Sequence, residues 1–174
     1  MDVIIDDGGR RAAGFRGMAG DCVTRSIAIA SGLGYADVYA ALSEGCRTQR
    51  VTKGRRRLAS ARDGVNTSRK WFKDYMRSIG FEWTATMKVG SGCRVHLTDG
   101  ELPDGRLVVM LSRHATAVID GVIHDMHDPQ RDAHECRRFP GWETAELKPG
   151  ETRNENGIHT IRRRAVYGYW RLQS

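Results

Sequence analysis

Three residue types in this chain are spaced so that together they can carry out nucleophilic acyl transfer. Cys22 follows Gly20 and Asp21 and opens a stretch in which Val23, Ile27 and Ala30 fall on one helical face. A cysteine at a helix start sits in the positive end of the helix dipole, which lowers the thiol pKa and favours the nucleophilic thiolate. The preceding Gly17, Ala19 and Gly20 are small and leave room for a substrate to approach. His114 stands just before an apolar strand, where a sheet can hold an imidazole rigidly enough to act as a base. A third group is needed to orient that imidazole and stabilise its charged form. Asp120-Gly121 reads as a two-residue hairpin turn, pairing 119 with 122, 117 with 124 and 114 with 127. The acids within reach of His114 are then Asp125, inside the strand, and Asp128, next to Pro129; Asp125 is the better placed. Taken singly, Cys22 reads as a small buried residue and His114 as a polar strand end. The combination is what points to chemistry.

The elements that must position these residues come in two halves. The pattern predicts a helix over 21–31 with Asp21 as N-cap and Gly32 and Gly34 as its end, and a second over 36–43 stopped by Gly45. A third follows Asn66 or Thr67 and ends at Gly80, with Trp71, Phe72, Tyr75, Met76 and Ile79 as an apolar core stripe. The second half reads as strands: 81–86, 106–112, 115–119, 122–126 and a closing aromatic strand over 165–172. Helices first and an antiparallel sheet after them predict an α+β fold. Residues 1–20 read as an irregular lead-in, 46–66 as a basic loop or mobile arm, and 129–160, rich in proline and glycine, as a surface insertion.

Composition narrows the class. The 174 residues suit one domain spanning 1–174, and 40% hydrophobic with 28% charged residues excludes a disordered chain. No apolar run approaches the roughly 18 residues of a membrane span, and Met1 to Asp7 has no basic leader, so a cytoplasmic protein is expected. Without a secretion signal, Cys22, Cys46, Cys93 and Cys136 are expected to be free thiols. The net charge of +7 favours acidic partners. Basic residues concentrate at 47–77, with Arg55, Arg56 and Arg57 as candidate contacts for nucleic acid or an acidic protein, and again at Arg162, Arg163 and Arg164. No aromatic residue interrupts 47–70, so no base-stacking platform is evident there. His124, His127, His134 and Cys136 are suitable zinc ligands but match no established spacing, and no metal or organic cofactor is expected.

The stretch Gly20-Asp21-Cys22-Val23, with Arg25, Ser26, Ile27 and Ala28, resembles the nucleophile helix of small bacterial and phage members of the papain-like cysteine peptidase superfamily. The stretch from Gly105 through Ser112-Arg113-His114, Asp120-Gly121 and Asp125 resembles their histidine and acid strands, and Val166 to Trp170 their last strand. The resemblance covers about half the chain. It implies a papain-like fold of N-terminal helices packed on a C-terminal sheet, in a bacterial or phage-infected cell. The implied catalytic residues are Cys22, His114 and Asp125, hydrolysing a peptide, isopeptide or other amide bond through a thioester. The backbone N–H of Cys22 would be one oxyanion donor. Arg16 stands where papain has the glutamine that supplies the second. The alternative reading is an inactive papain-like scaffold that binds nucleic acid or an acidic protein through the basic arm. A purely structural protein with an inert Cys22 is the third.

Overall fold

A computed structural model describes residues 1–49, 60–87, 90, 92–130, 133–147 and 151–173. It is mixed α+β. The helices are α1 (Cys22–Ser31), α2 (Tyr35–Thr48) and α3 (Lys70–Ser78), with a 3₁₀ turn at Ala61–Asp63. The strands are β1 (Val3–Ile5), β2 (Phe81–Ala85), β3 (Arg106–Leu111), β4 (His114–Ile119), β5 (Val122–Asp125), β6 (Ala133–Arg137), β7 (Glu151–Asn154), β8 (Gly157–Arg162) and β9 (Val166–Leu172). Six strands form one sheet in the order β1-β5-β4-β3-β9-β2, and the other three form a second in the order β6-β8-β7.

The large sheet is buried on both faces, which is why its central strand is a continuous apolar run. Val108 of β3 joins Ile27, Leu42, Phe72, Met76 and Trp170 in a core between the sheet and the helices. Leu107, Val109 and Leu111 alternate to the other face, where they meet Leu97, Val118, Ile123 and Val166. Arg106, at the start of β3, donates from Nε to the Ala30 carbonyl and from Nη2 to that of Ile29, both at 2.6 Å. A strand residue thus satisfies the C-terminal carbonyls of α1 and fixes the helix along the sheet.

Several expectations require correction. The segment 1–20 is not merely a lead-in: β1 pairs in parallel with β5, matching Val3 to Ile123 and Ile5 to Asp125, so the sheet is mixed rather than antiparallel. The region read as a surface insertion, 129–160, carries β6, β7 and the start of β8, strands that the sequence reading did not assign and that pair antiparallel. Of the basic arm at 46–66, residues 46–48 are helical. Residues 61–63 form the 3₁₀ turn, in which Ala61 is fully buried and donates its N–H to Ser43 Oγ at 3.0 Å. Arg55, Arg56 and Arg57 lie outside the described residues. Asn66 does not cap α3, whose N-cap is Arg69; its Oδ1 accepts the Ser68 N–H instead. Of the second basic cluster, Arg164 is buried; its role emerges at the site.

Gly45 does not stop α2, which runs through it to Thr48. A Cβ at Gly45 would lie 2.3 Å from the Trp71 ring, so the glycine is there to let α3 approach. Glycine costs a helix interior about 1 kcal/mol relative to alanine, whereas overpacking costs about 1–3 kcal/mol. Trp71 is held edge-on to Phe72, with its Nε1–H on Gln49 Oε1 at 3.4 Å, so the ring has little freedom to yield. Gly45→Ala is therefore expected to lower the urea midpoint, despite the better helix propensity of alanine. An unchanged or raised midpoint would contradict this packing.

Candidate active site

Cys22 is the first residue of α1, His114 the first of β4 and Asp125 the last of β5. The β4–β5 register runs Ile119 to Val122, Val118 to Ile123 and Ala117 to His124. One step further places Asp125 opposite Thr116, diagonal to His114 on the same sheet face, which is within reach of an imidazole. His114 Nε2 lies 2.7 Å from Asp125 Oδ2. Asp125 Oδ1 accepts the Met126 N–H at 2.7 Å, so the carboxylate is held at both oxygens. Cys22 lines the same cleft as His114, and the His114 side chain and the backbone of Ala115 act on its thiol. Asp128 is not part of this chain of contacts; its Oδ1 accepts the Gln130 N–H at 2.8 Å and shapes the following turn.

The electrostatics follow from that order. Burial alone would push the Cys22 thiol up. The hydrogen bond and charge of His114, with the N–H groups of Ala115 and Val23, outweigh it and hold the thiol below its ordinary value. Burial would lower the His114 pKa, but Asp125 on one side and Cys22 on the other raise it to about 9. Burial opposes ionisation of Asp125 as well, and its contact with His114 still brings it below the usual carboxylate value. The three shifts act together: they favour a thiolate at Cys22, an imidazolium at His114 and a carboxylate at Asp125.

Asp21, expected as the helix cap, has another role. Its side chain makes no cap hydrogen bond and is turned inward, 1% exposed. Oδ2 accepts Arg10 Nε at 2.9 Å and the Tyr35 hydroxyl at 2.5 Å, and Oδ1 is ion-paired with Arg25 at 2.5 Å. The first N–H groups of α1, those beside Cys22, are therefore not capped by the Asp21 side chain. Arg10 also donates to the carbonyls of Phe15 at 3.2 Å and Arg16 at 3.1 Å, and the Gly20 N–H donates to the Arg62 carbonyl at 2.8 Å. These contacts fix the loop that leads into the cysteine.

The sequence did not single out Arg10, Tyr35 or Arg164. Arg164 donates to the Pro129 carbonyl at 2.8 Å and the Ser112 carbonyl at 3.0 Å, tying together the turns that follow Asp125 and precede His114. Its place in a basic run concealed this. Of the residues weighed as metal ligands, His127 lies beside the row, its ring 5.1 Å from that of His114 and its Nδ1 3.9 Å from Asp125 Oδ1. His124 instead meets Asp6 at 3.3 Å. A second Cys–His pair, Cys136 and His159, does not reproduce the relay. The same His159 nitrogen faces Cys136 at 3.8 Å and Asn154 at 2.7 Å, so the ring cannot pass a proton between them.

The site opens into a cleft of about 930 Å³ lined by Cys22, His114 and Asp125 and by the loop over 15–20. No family model, curated protein or solved structure matches the chain. Among the described residues, no helix is long and apolar enough to cross a membrane.

Alkylation reads this geometry directly. Cys22 is expected to react with iodoacetamide at pH values below those needed by an ordinary thiol of pKa about 8.5, and faster than buried Cys46, whose thiol burial pushes up. In His114→Ala the largest remaining influence is burial, so the apparent pKa of Cys22 should rise. Identical pH–rate curves for the two proteins would contradict the thiolate–imidazolium pair.

Proposed function

We propose that the protein is a cysteine hydrolase of papain-like type that cleaves an amide bond of a peptide, isopeptide or related substrate. The observation that carries this reading is the imidazole held at Nε2 by Asp125 in the same cleft as Cys22, the first residue of a helix. The order of helix, histidine strand and acid strand supports the papain-like assignment. In the first step the Cys22 thiolate adds to the carbonyl carbon, and the oxyanion is met by the Cys22 N–H. The His114 imidazolium gives its proton to the departing nitrogen, the C–N bond breaks, and a thioester remains. In the second step His114 takes a proton from water, the hydroxide adds, the C–S bond breaks, and the acid product leaves. The thiolate–imidazolium pair is thereby regenerated. Asp125 stays ionised throughout and keeps the ring oriented.

The rate should depend on pH as a bell. It rises as Cys22 ionises and falls as His114 loses the proton it must donate, near pH 9. The test is a positional-scanning library of fluorogenic peptide amides. Cys22→Ala should abolish turnover of any cleaved member, and His114→Ala should lower kcat/KM by about 10²–10⁴-fold. Turnover that survives Cys22→Ala, or none from any pool, overturns the proposal. In the latter case a basic scaffold that binds nucleic acid or an acidic protein is the reading that remains.

A further inference from the structure

We propose that the cleft takes a substrate carrying a carboxylate close to the bond to be cleaved, an acidic peptide, and that Arg11, Arg16 and Arg113 recognise it. The inference rests on the hydrolase reading of Cys22. It starts from a charge imbalance. Five arginines line the cleft, Arg10, Arg11, Arg16, Arg25 and Arg113, against Asp7 and Asp125. Arg10 and Arg25 are engaged by Asp21, and Asp125 by His114. Asp7 is committed to its own loop, where it accepts the backbone N–H of Gly9 at 2.9 Å and of Arg11 at 3.0 Å. Among the described residues, Arg11, Arg16 and Arg113 have no carboxylate partner.

All three residues are exposed, so their side chains are open to a ligand, and their backbones have fixed places in the fold. Arg11 and Arg16 have their backbones tied down, by the Asp7 carboxylate and by Arg10. Arg113 comes from a separate element, the two-residue β3–β4 turn, and immediately precedes His114. It adopts φ 55°, the left-handed conformation that glycine accepts freely and other residues occupy at a cost. An arginine where glycine would relieve the backbone suits a side chain with a role, and here it lines the cleft next to His114 in sequence. Guanidinium groups pair with carboxylates through parallel hydrogen bonds, and at exposed positions such as these salt screens the attraction. Nucleic acid fits less well, because Phe15 is the one aromatic residue among those lining the cleft, and it is packed against Tyr35 and Tyr39.

A pair of small alkylating agents tests this without knowledge of the substrate. Iodoacetate and iodoacetamide both react when the Cys22 sulfur displaces iodide from carbon, but only iodoacetate carries a carboxylate. The readout is the ratio of their rates at Cys22 in the intact protein, by mass spectrometry. It is compared between wild type, Arg113→Gly and the double variant Arg11→Gln, Arg16→Gln. The wild-type ratio includes the attraction of the imidazolium, so the change on substitution decides. Roughly a threefold fall is expected per arginine removed, the size of one partly screened charge pair, and it should shrink in high salt. Arg113→Gly places glycine in a conformation it prefers, so misfolding does not obscure the result. A poly-glutamate peptide should protect Cys22 at concentrations where a single-stranded oligonucleotide of equal charge does not. If iodoacetamide reports an activated Cys22 but the ratio is indifferent to the arginines, or the oligonucleotide alone protects, the acidic-peptide inference fails and the hydrolase reading stands. If Cys22 reacts with neither reagent faster than Cys46 does, both fail.

Discussion

The site depends on one buried carboxylate, that of Asp21. It draws in Arg10 from the N-terminal segment, Arg25 from the next turn of α1 and the Tyr35 hydroxyl from α2. Removing one member of such a buried group leaves the others charged and unpaired, which costs about 3–5 kcal/mol. That coupling forces three segments to meet just before the cysteine. It also takes the carboxylate away from the helix end, where aspartate would ordinarily cap the free N–H groups and compete with an oxyanion. The residue that makes the loop rigid is therefore the residue that leaves the helix terminus open. Arg10 carries the effect further, since its guanidinium also holds the carbonyls of residues 15 and 16 that border the cleft.

The histidine and the acid are positioned differently, by a sheet buried on both faces. Strands β3, β4 and β5 have little freedom to slide, because a slip of one residue would exchange the two core faces. His114 and Asp125 lie at the ends of two of these strands, so their separation is set by backbone register and by the Arg164 bridge between the flanking turns. Arg106 locks α1 to β3 at the helix end remote from Cys22. The sulfur and the imidazole thus meet because a helix fixed at both ends lies on a sheet of fixed register. The resulting pKa shifts of Cys22 and His114 are mutual and depend on that distance.

What could be read from the sequence was what local chemistry determines. The β4–β5 hairpin is announced by Asp120-Gly121, both with positive φ; its register put both Asp125 and Asp128 within reach of His114, and the place of Asp125 inside the strand favoured it. The Leu107 to Leu111 run announced a buried central strand. Other features were hidden because they are settled by contacts distant in sequence. The pairing of Val3–Ile5 with β5 joins segments far apart in sequence, and three residues carry no periodic signal. Gly45 looked like a helix stop because only the Trp71 ring packed against it explains a glycine there. Asp21 looked like a cap because Arg10 and Tyr35 cannot be assigned to it from spacing. Among the described residues, Pro140 and Gly141, which lie between β6 and β7, gave that region the look of a loop.

The most direct measurement of the central claim is the titration of the His114 ring, followed by NMR on carbon-labelled protein, in wild type and in Cys22→Ala. The account predicts that His114 keeps its charge up to about pH 9 in the wild type, well above the ordinary value of 6.5, and that losing the Cys22 sulfur lowers its pKa. A ring that titrates near 6.5, or that takes no notice of Cys22, would contradict the account, because the thiolate and the imidazolium would then not be a pair.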